Sequence, residues 1–136
     1  RQVYSIEPAP ALFSRAQQRF AKYKNVEIIR GTSEAVFPVL LPKLSGDVSF
    51  WLDGHYSAGE TFKGGQDTPI RQELDAIAAI LPQLGRVVIL VDDVRCFDPS
   101  LPEFSDYPSR DWLVEWAGRL NLKWHIEHDI FILRKD

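Results

Sequence analysis

The chain has 136 residues, 45% of them hydrophobic and 26% charged, with a formal net charge of −3. Those values fit one soluble globular domain spanning 1–136 that buries a real core, and they exclude wholesale disorder. The longest apolar runs, residues 87–91 and 36–41 (the second crossed by Pro38), are far too short to span a bilayer, so no membrane partner is expected. No basic field advertises nucleic acid either. The lone Cys96 rules out an internal disulfide and a multi-cysteine zinc site and fits a reducing, cytoplasmic setting. There is no Met and no signal-peptide pattern, and the chain opens on the strand-like Arg1-Gln2-Val3-Tyr4-Ser5-Ile6, so an N-terminally truncated domain is expected.

Strand and helix signals alternate along the sequence. Val3–Glu7 reads as a strand ending in an acid, and Pro8 and Pro10 suit the first turn of a helix. Leu12, Ala16 and Phe20, with Phe13 beside them, recur at helical spacing. Residues 25–30 form the next strand, closed by Gly31, and Thr32-Ser33-Glu34 offers a cap and an acid at the start of a short helix that ends between Pro42 and Gly46. Residues 47–53 read as a third strand. Thr68-Pro69 starts a helix whose apolar stripe is Ile70, Leu74, Ile77, Ala78 and Leu81, with Arg71, Gln72, Glu73 and Asp75 assigned to water. Residues 86–92 hold the unbroken run Val87–Val91, which suits a strand covered on both faces of a parallel sheet. Residues 109–120 form a last helix with Trp112, Leu113, Trp116 and Leu120 on one side; both tryptophans read as core or interface residues. Strands at 122–127 and 130–134 follow, separated only by His128-Asp129, which requires an antiparallel hairpin.

The order β-α-β-α-β-α-β-α-β-β gives an α/β fold that is Rossmann-like: a single, mostly parallel sheet with helices on both faces and a C-terminal antiparallel β-hairpin. Two long loops, 54–67 and 94–108, follow the carboxyl ends of strands, where open α/β sheets bind ligands.

Acids stand at those strand exits. Glu7 has the position of a ribose-binding acid and equally that of an acid at a helix N-terminus. Neighbouring parallel strands lie about 4.8 Å apart, so Asp53, Asp92 and Asp93 converge, and three carboxylates at one point suit Mg²⁺ or another hard divalent cation. The same residues also read as a loop cap and a partner of Arg95. His55 is a base or ligand by its titration range, and a loop hydrogen bond by the alternative reading. Cys96 reads as a small half-buried side chain, not a nucleophile. Gly64-Gly65 lacks the context of a phosphate loop, and no Gly-x-Ser-x-Gly elbow is present.

Taken in order, these segments resemble the class I S-adenosylmethionine-dependent methyltransferase family, over nearly the whole chain from that family's second strand onward. Tyr4-Ser5-Ile6-Glu7 is similar to the strand whose terminal acid binds the cofactor ribose, and Gly31-Thr32-Ser33 to the turn that contacts adenine. Trp51-Leu52-Asp53-Gly54-His55-Tyr56 resembles the Asp-Gly-x-His segment of small-molecule O-methyltransferases, one residue shorter, and Val91-Asp92-Asp93 the acidic pair of the metal-dependent members. The family's first strand and Gly-x-Gly loop have no counterpart here.

The resemblance implies S-adenosylmethionine as cofactor and O-methyl transfer to a small metabolite or sugar-like acceptor. Glu7, Thr32, Ser33 and Asp53 would bind the cofactor, Asp53 and His55 would be catalytic, and Asp53, Asp92 and Asp93 would hold a divalent cation. Tyr56, Phe62, Phe97, Phe104 and Tyr107 would wall the acceptor site. Without the first strand the 136 residues are expected to be inactive by themselves and, through their open sheet edges, to form a homo-oligomer. The other reading is a non-catalytic Rossmann-like binding or oligomerisation module whose acids are loop caps.

Overall fold

A computed structural model describes residues 1–53 and 68–136. Every strand and helix expected from the sequence is present. Strands β1 (Val3–Glu7), β2 (Val26–Arg30), β3 (Gly46–Leu52), β4 (Leu84–Val91), β5 (Lys123–Glu127) and β6 (Ile130–Lys135) alternate with helices α1 (Pro10–Phe20), α2 (Ser33–Leu40), α3 (Ile70–Ile80) and α4 (Arg110–Arg119) until the closing hairpin. The fold is α/β and Rossmann-like, with parallel pairing of β1 with β2 and of β3 with β4. The hairpin lies antiparallel to β4, through β6, as its two-residue junction requires. His128 and Asp129 both take positive φ (49° and 64°), the backbone a two-residue turn needs to match the strand twist.

The expectation of one continuous sheet is corrected. Hydrogen bonding divides the strands into a pair, β1-β2, and a four-stranded sheet in the order β3-β4-β6-β5. The crossover from β2 to β3 lands β3 beside neither earlier strand, and local patterning carries no information about where such a crossover returns.

The core belongs to the second unit. Phe50, Leu52, Val87, Ile89, Val91, Phe131 and Leu133 share one sheet face by register, and against it pack Leu74 and Ile77 of α3 and Leu113, Trp116 and Ala117 of α4, with Phe37 of α2 in the same cluster. Within the run at 87–91, Val87, Ile89 and Val91 are buried while Val88 and Leu90 are half-buried, so its two faces differ in cover. Helix α1 lies on β1 and β2, and none of its side chains is buried.

Local chemistry sets several element ends. Pro10 occupies the first turn of α1, where its missing N–H costs nothing. Ser109 caps α4 by accepting from the Trp112 amide at 3.1 Å. Gly31 turns the chain out of β2 at φ +150°, and a Cβ there would meet Val36 Cγ2 at 3.1 Å, so glycine is required. Among the described residues no helix is long and apolar enough to cross a membrane.

Candidate functional site

The carboxyl ends of β3 and β4 open on a shallow recess lined by Leu52, Asp53, Ile70, Glu73, Asp92 and Tyr107, together with Thr68, Val91 and Phe97. The volume open to the centre of a water molecule is about 10 Å³, room for one water-sized group. Parallel pairing of Leu52 with Val91 brings the two strand exits side by side, and the Asp92 amide donates to the Leu52 carbonyl at 3.0 Å. The convergence of Asp53 and Asp92 read from the sequence is therefore realised: Asp53 is exposed at the exit and Asp92 half-buried.

Asp93 does not join them. It takes a left-handed backbone (φ 57°), and its Oδ1 pairs with Arg95 Nη2 at 2.6 Å. Arg95 is itself anchored by Asp129, whose Oδ1 accepts the Arg95 amide at 2.9 Å and whose Oδ2 pairs with the guanidinium. Asp92 Oδ1 accepts the Asp93 amide at 2.9 Å, as a loop cap does. Among the described residues no group of three or more His, Cys, Asp or Glu side chains could hold a metal ion. The shared cation expected at Asp53, Asp92 and Asp93 thus lacks its donor set here, because the nearby arginine takes up the third carboxylate.

The cofactor residues expected from the sequence lie along the preceding strand exits. Glu7 ends β1, and its Oε1 accepts the Ala9 amide at 2.8 Å at the start of α1. That hydrogen bond satisfies one otherwise orphaned donor of the helix and orients the carboxylate. Thr32 is the N-cap residue of α2, its carbonyl accepting from the Ala35 and Val36 amides, and Ser33 begins the helix half-buried. His55, Tyr56 and Phe62 lie outside the described residues.

Phe97 and Tyr107 line the recess, meeting edge to face with centroids 5.2 Å apart, and Phe104 meets Tyr107 edge to face in turn at 5.8 Å. Cys96 is buried, and burial pushes its thiol up, so it is no ready nucleophile. Trp116 lies in the core, while half-buried Trp112 carries the Arg71 guanidinium 4.5 Å from its ring centroid.

Glu73 is the residue that sequence reading missed. Assigned to water on account of its charge, it is only 5% exposed. The spacing held the signal: Glu73 lies three residues after Ile70 and four before Ile77, within the apolar stripe. Burial pushes its carboxyl up to about 7, the Ser33 hydroxyl lowering it in part by hydrogen bonding and the Glu34 charge raising it further. Its Oε2 has no hydrogen-bond partner among the described residues. A buried carboxylate oxygen so placed is costly unless something else satisfies it.

No protein-family model and no curated protein sequence matches the chain. Solved structures do match it in shape. The Methanococcus jannaschii fibrillarin pre-rRNA processing protein superposes with a TM-score of 0.54 at 13% identity, covering 98% of this chain and 54% of that one. A candidate methyltransferase from Streptococcus mutans in complex with SAH gives 0.55 at 15% identity, covering 98% of this chain and 74% of that one. The fold is that of Rossmann-like methyltransferases. The chain spans about half the length of the fibrillarin it matches.

Proposed function

We propose that this chain belongs to an S-adenosylmethionine-dependent O-methyltransferase acting on a small hydroxyl-bearing metabolite or sugar-like acceptor. The observation that carries the reading is the series of polar side chains at consecutive strand exits: Glu7 after β1, Thr32 and Ser33 after β2, Asp53 after β3 and Asp92 after β4, on a fold similar to that of a protein solved with SAH. The bound cofactor supplies an electrophilic methyl group on a sulfonium. Glu7, pre-oriented by the Ala9 amide, takes the ribose hydroxyls, and Thr32 and Ser33 border the adenine. Asp53 accepts a hydrogen bond from the acceptor hydroxyl and takes its proton at a carboxylate oxygen; the new oxygen–carbon bond would form as the methyl carbon–sulfur bond breaks, the sulfur leaving as the neutral thioether. Phe97 and Tyr107 exclude water from one side of the recess. No step is assigned to a divalent cation.

The acidic lining of the recess and the net charge of −3 favour a neutral or cationic small acceptor over RNA, whose phosphates they would repel. Beyond the acceptor, the unpaired edges of β1, β2, β3 and β5 among the described residues support self-association. The second reading, a non-catalytic module, draws on the structural partners of the acids themselves: the Ala9 amide for Glu7, the Asp93 amide for Asp92 and Arg95 for Asp93.

Calorimetry with S-adenosylhomocysteine on the full-length protein separates the two. Saturable binding that Glu7→Ala weakens tenfold or more, about 1.4 kcal/mol, supports the methyltransferase. No binding to the unaltered protein leaves the module.

A further inference from the structure

Strand β5 ends the four-stranded sheet, with β6 on one side and no strand on the other among the described residues. Trp124 and Ile126 stand in register with Leu133 and Phe131 of the buried layer, and the Trp124 ring stacks on Phe131 with centroids 5.3 Å apart. Yet Trp124 is 44% exposed and Ile126 49%. The apolar layer of the core thus runs out to the sheet edge and lies bare there. Strand alternation puts Lys123, His125 and Glu127 on the opposite face. The two-residue turn fixes which backbone groups the edge presents. His128-Asp129 makes Glu127 and Ile130 a pair that exchanges hydrogen bonds. Such pairs alternate along an antiparallel ladder, so the amides and carbonyls of Trp124 and Ile126 point away from β6, toward the open edge.

We propose that this edge is a dimer interface, in which β5 pairs antiparallel with β5 of a second copy about a two-fold axis at His125. Trp124 of one copy then stands opposite Ile126 of the other, each such pair exchanging both backbone hydrogen bonds, and Lys123 stands opposite Glu127. The proposal commits the self-association named above to one edge and one register, and it is independent of the methyl-transfer reading.

Self-complementarity selects a second copy as the occupant. Directly opposed aromatic and β-branched side chains stabilise a sheet, as do opposite charges, while like charges destabilise it. Antiparallel self-pairing of β5 gives both favourable kinds of pair at once. The other open strands do not: paired with themselves about their central residues, β1 sets Glu7 against Val3, β2 sets Arg30 against Val26, and β3 sets Asp47 against Trp51. Within one copy Lys123 pairs with Asp136, and Glu127 lies 3.8 Å from His125 and 3.6 Å from His128, all through exposed side chains that solvent screens. The ladder has five residues a side, against roughly 20–30 in a standard interface, so association is expected to depend on concentration.

Sedimentation velocity of the full-length protein over a concentration series reads the dimer. Lys123→Glu sets two negative charges against each other at both ends of the paired strands, and Glu127→Lys sets two positive ones. Each variant alone is expected to dimerise about tenfold more weakly than the parent. An equimolar mixture of the two restores opposite charges at both ends and is expected to dimerise as the parent does. Both side chains are exposed, so the fold is kept, and near-UV circular dichroism verifies that. His125→Cys reads the register. Residues facing each other on the axis form a non-hydrogen-bonded pair with α-carbons about 4.5 Å apart, within reach of a disulfide. Mild oxidation is expected to give a covalent dimer of His125→Cys, while Glu127→Cys, placed opposite residue 123, and the parent, whose Cys96 is buried, stay uncrosslinked.

A monomer at every concentration overturns the proposal. So does a dimer that neither charge variant weakens, a mixture no stronger than its components, or a failure of His125→Cys to cross-link. A dimer of that kind would join through another surface, which removes the β5 interface and leaves self-association standing.

Discussion

The β1-α1-β2 unit and the sheet that begins with β3 use the same alternation of strand and helix, yet they bury very different amounts of apolar surface. The first contributes a single residue, Ala9, to the buried hydrophobic set and leaves Val3, Tyr4, Phe20 and Tyr23 exposed. The second packs three helices and a closing hairpin around Leu74, Ile77, Ile89, Phe131 and Leu133. Periodicity alone therefore does not make a core. A helix stripe gains stability only where tertiary structure lays it against a second apolar layer, and a two-stranded sheet offers little of one.

The largest expected effect comes from cutting the same kind of side chain in each unit. Phe131→Ala empties a fully enclosed site and is expected to cost about 3–5 kcal/mol in denaturant unfolding. Phe20→Ala, at the exposed end of α1, is expected to cost under about 1 kcal/mol. Equal costs would break the contrast. In hydrogen exchange, the amides of β4 and β6 are expected to open only with global unfolding, and those of β1 and β2 by smaller local openings.

Next comes Glu73, whose carboxyl is raised from 4.5 to about 7 by burial. Between those two values the folded chain binds more protons than the unfolded one, so stability falls as pH rises through that window, and the full penalty is present above 7. Integrated over the shift, the loss is at most about 3 kcal/mol. Glu73→Gln is expected to flatten that slope and to be more stable than the parent at pH 8, with little difference at pH 4. Urea unfolding across the range checks it, and an unchanged slope would mean that the carboxyl is compensated in the native chain.

A smaller change is expected at the α4 cap, where Ser109→Ala removes the acceptor of the Trp112 amide and costs about 1 kcal/mol, read as a lowered denaturation midpoint. Least of all, Asp47→Asn breaks a solvent-exposed pair with Arg86 at 2.5 Å and is expected to shift melting slightly at low salt and not at high salt.

Much of the fold was legible because it is local. Leu12, Ala16 and Phe20 announce a helix and Val87–Val91 a strand whatever lies around them. The site was legible in part: parallel strand exits bring Asp53 and Asp92 together by geometry alone, and that pairing is found. The third carboxylate was not, since Asp93 is turned aside by Arg95, which a residue 34 positions away, Asp129, holds in place. Glu73 was misplaced because charge was weighed above spacing.

The sequence by itself determined the order of strands and helices, their approximate ends, and the antiparallel closure forced by His128-Asp129, since each depends on contacts within a few residues. Tertiary structure alone decided that β1-β2 stands apart from β3-β4-β6-β5, that Glu73 is buried beneath two strand exits, and that Asp93 faces an arginine instead of its neighbouring acids. Those outcomes are set by groups far apart along the chain, whose burial and pairing energies exist only once the chain has folded around them.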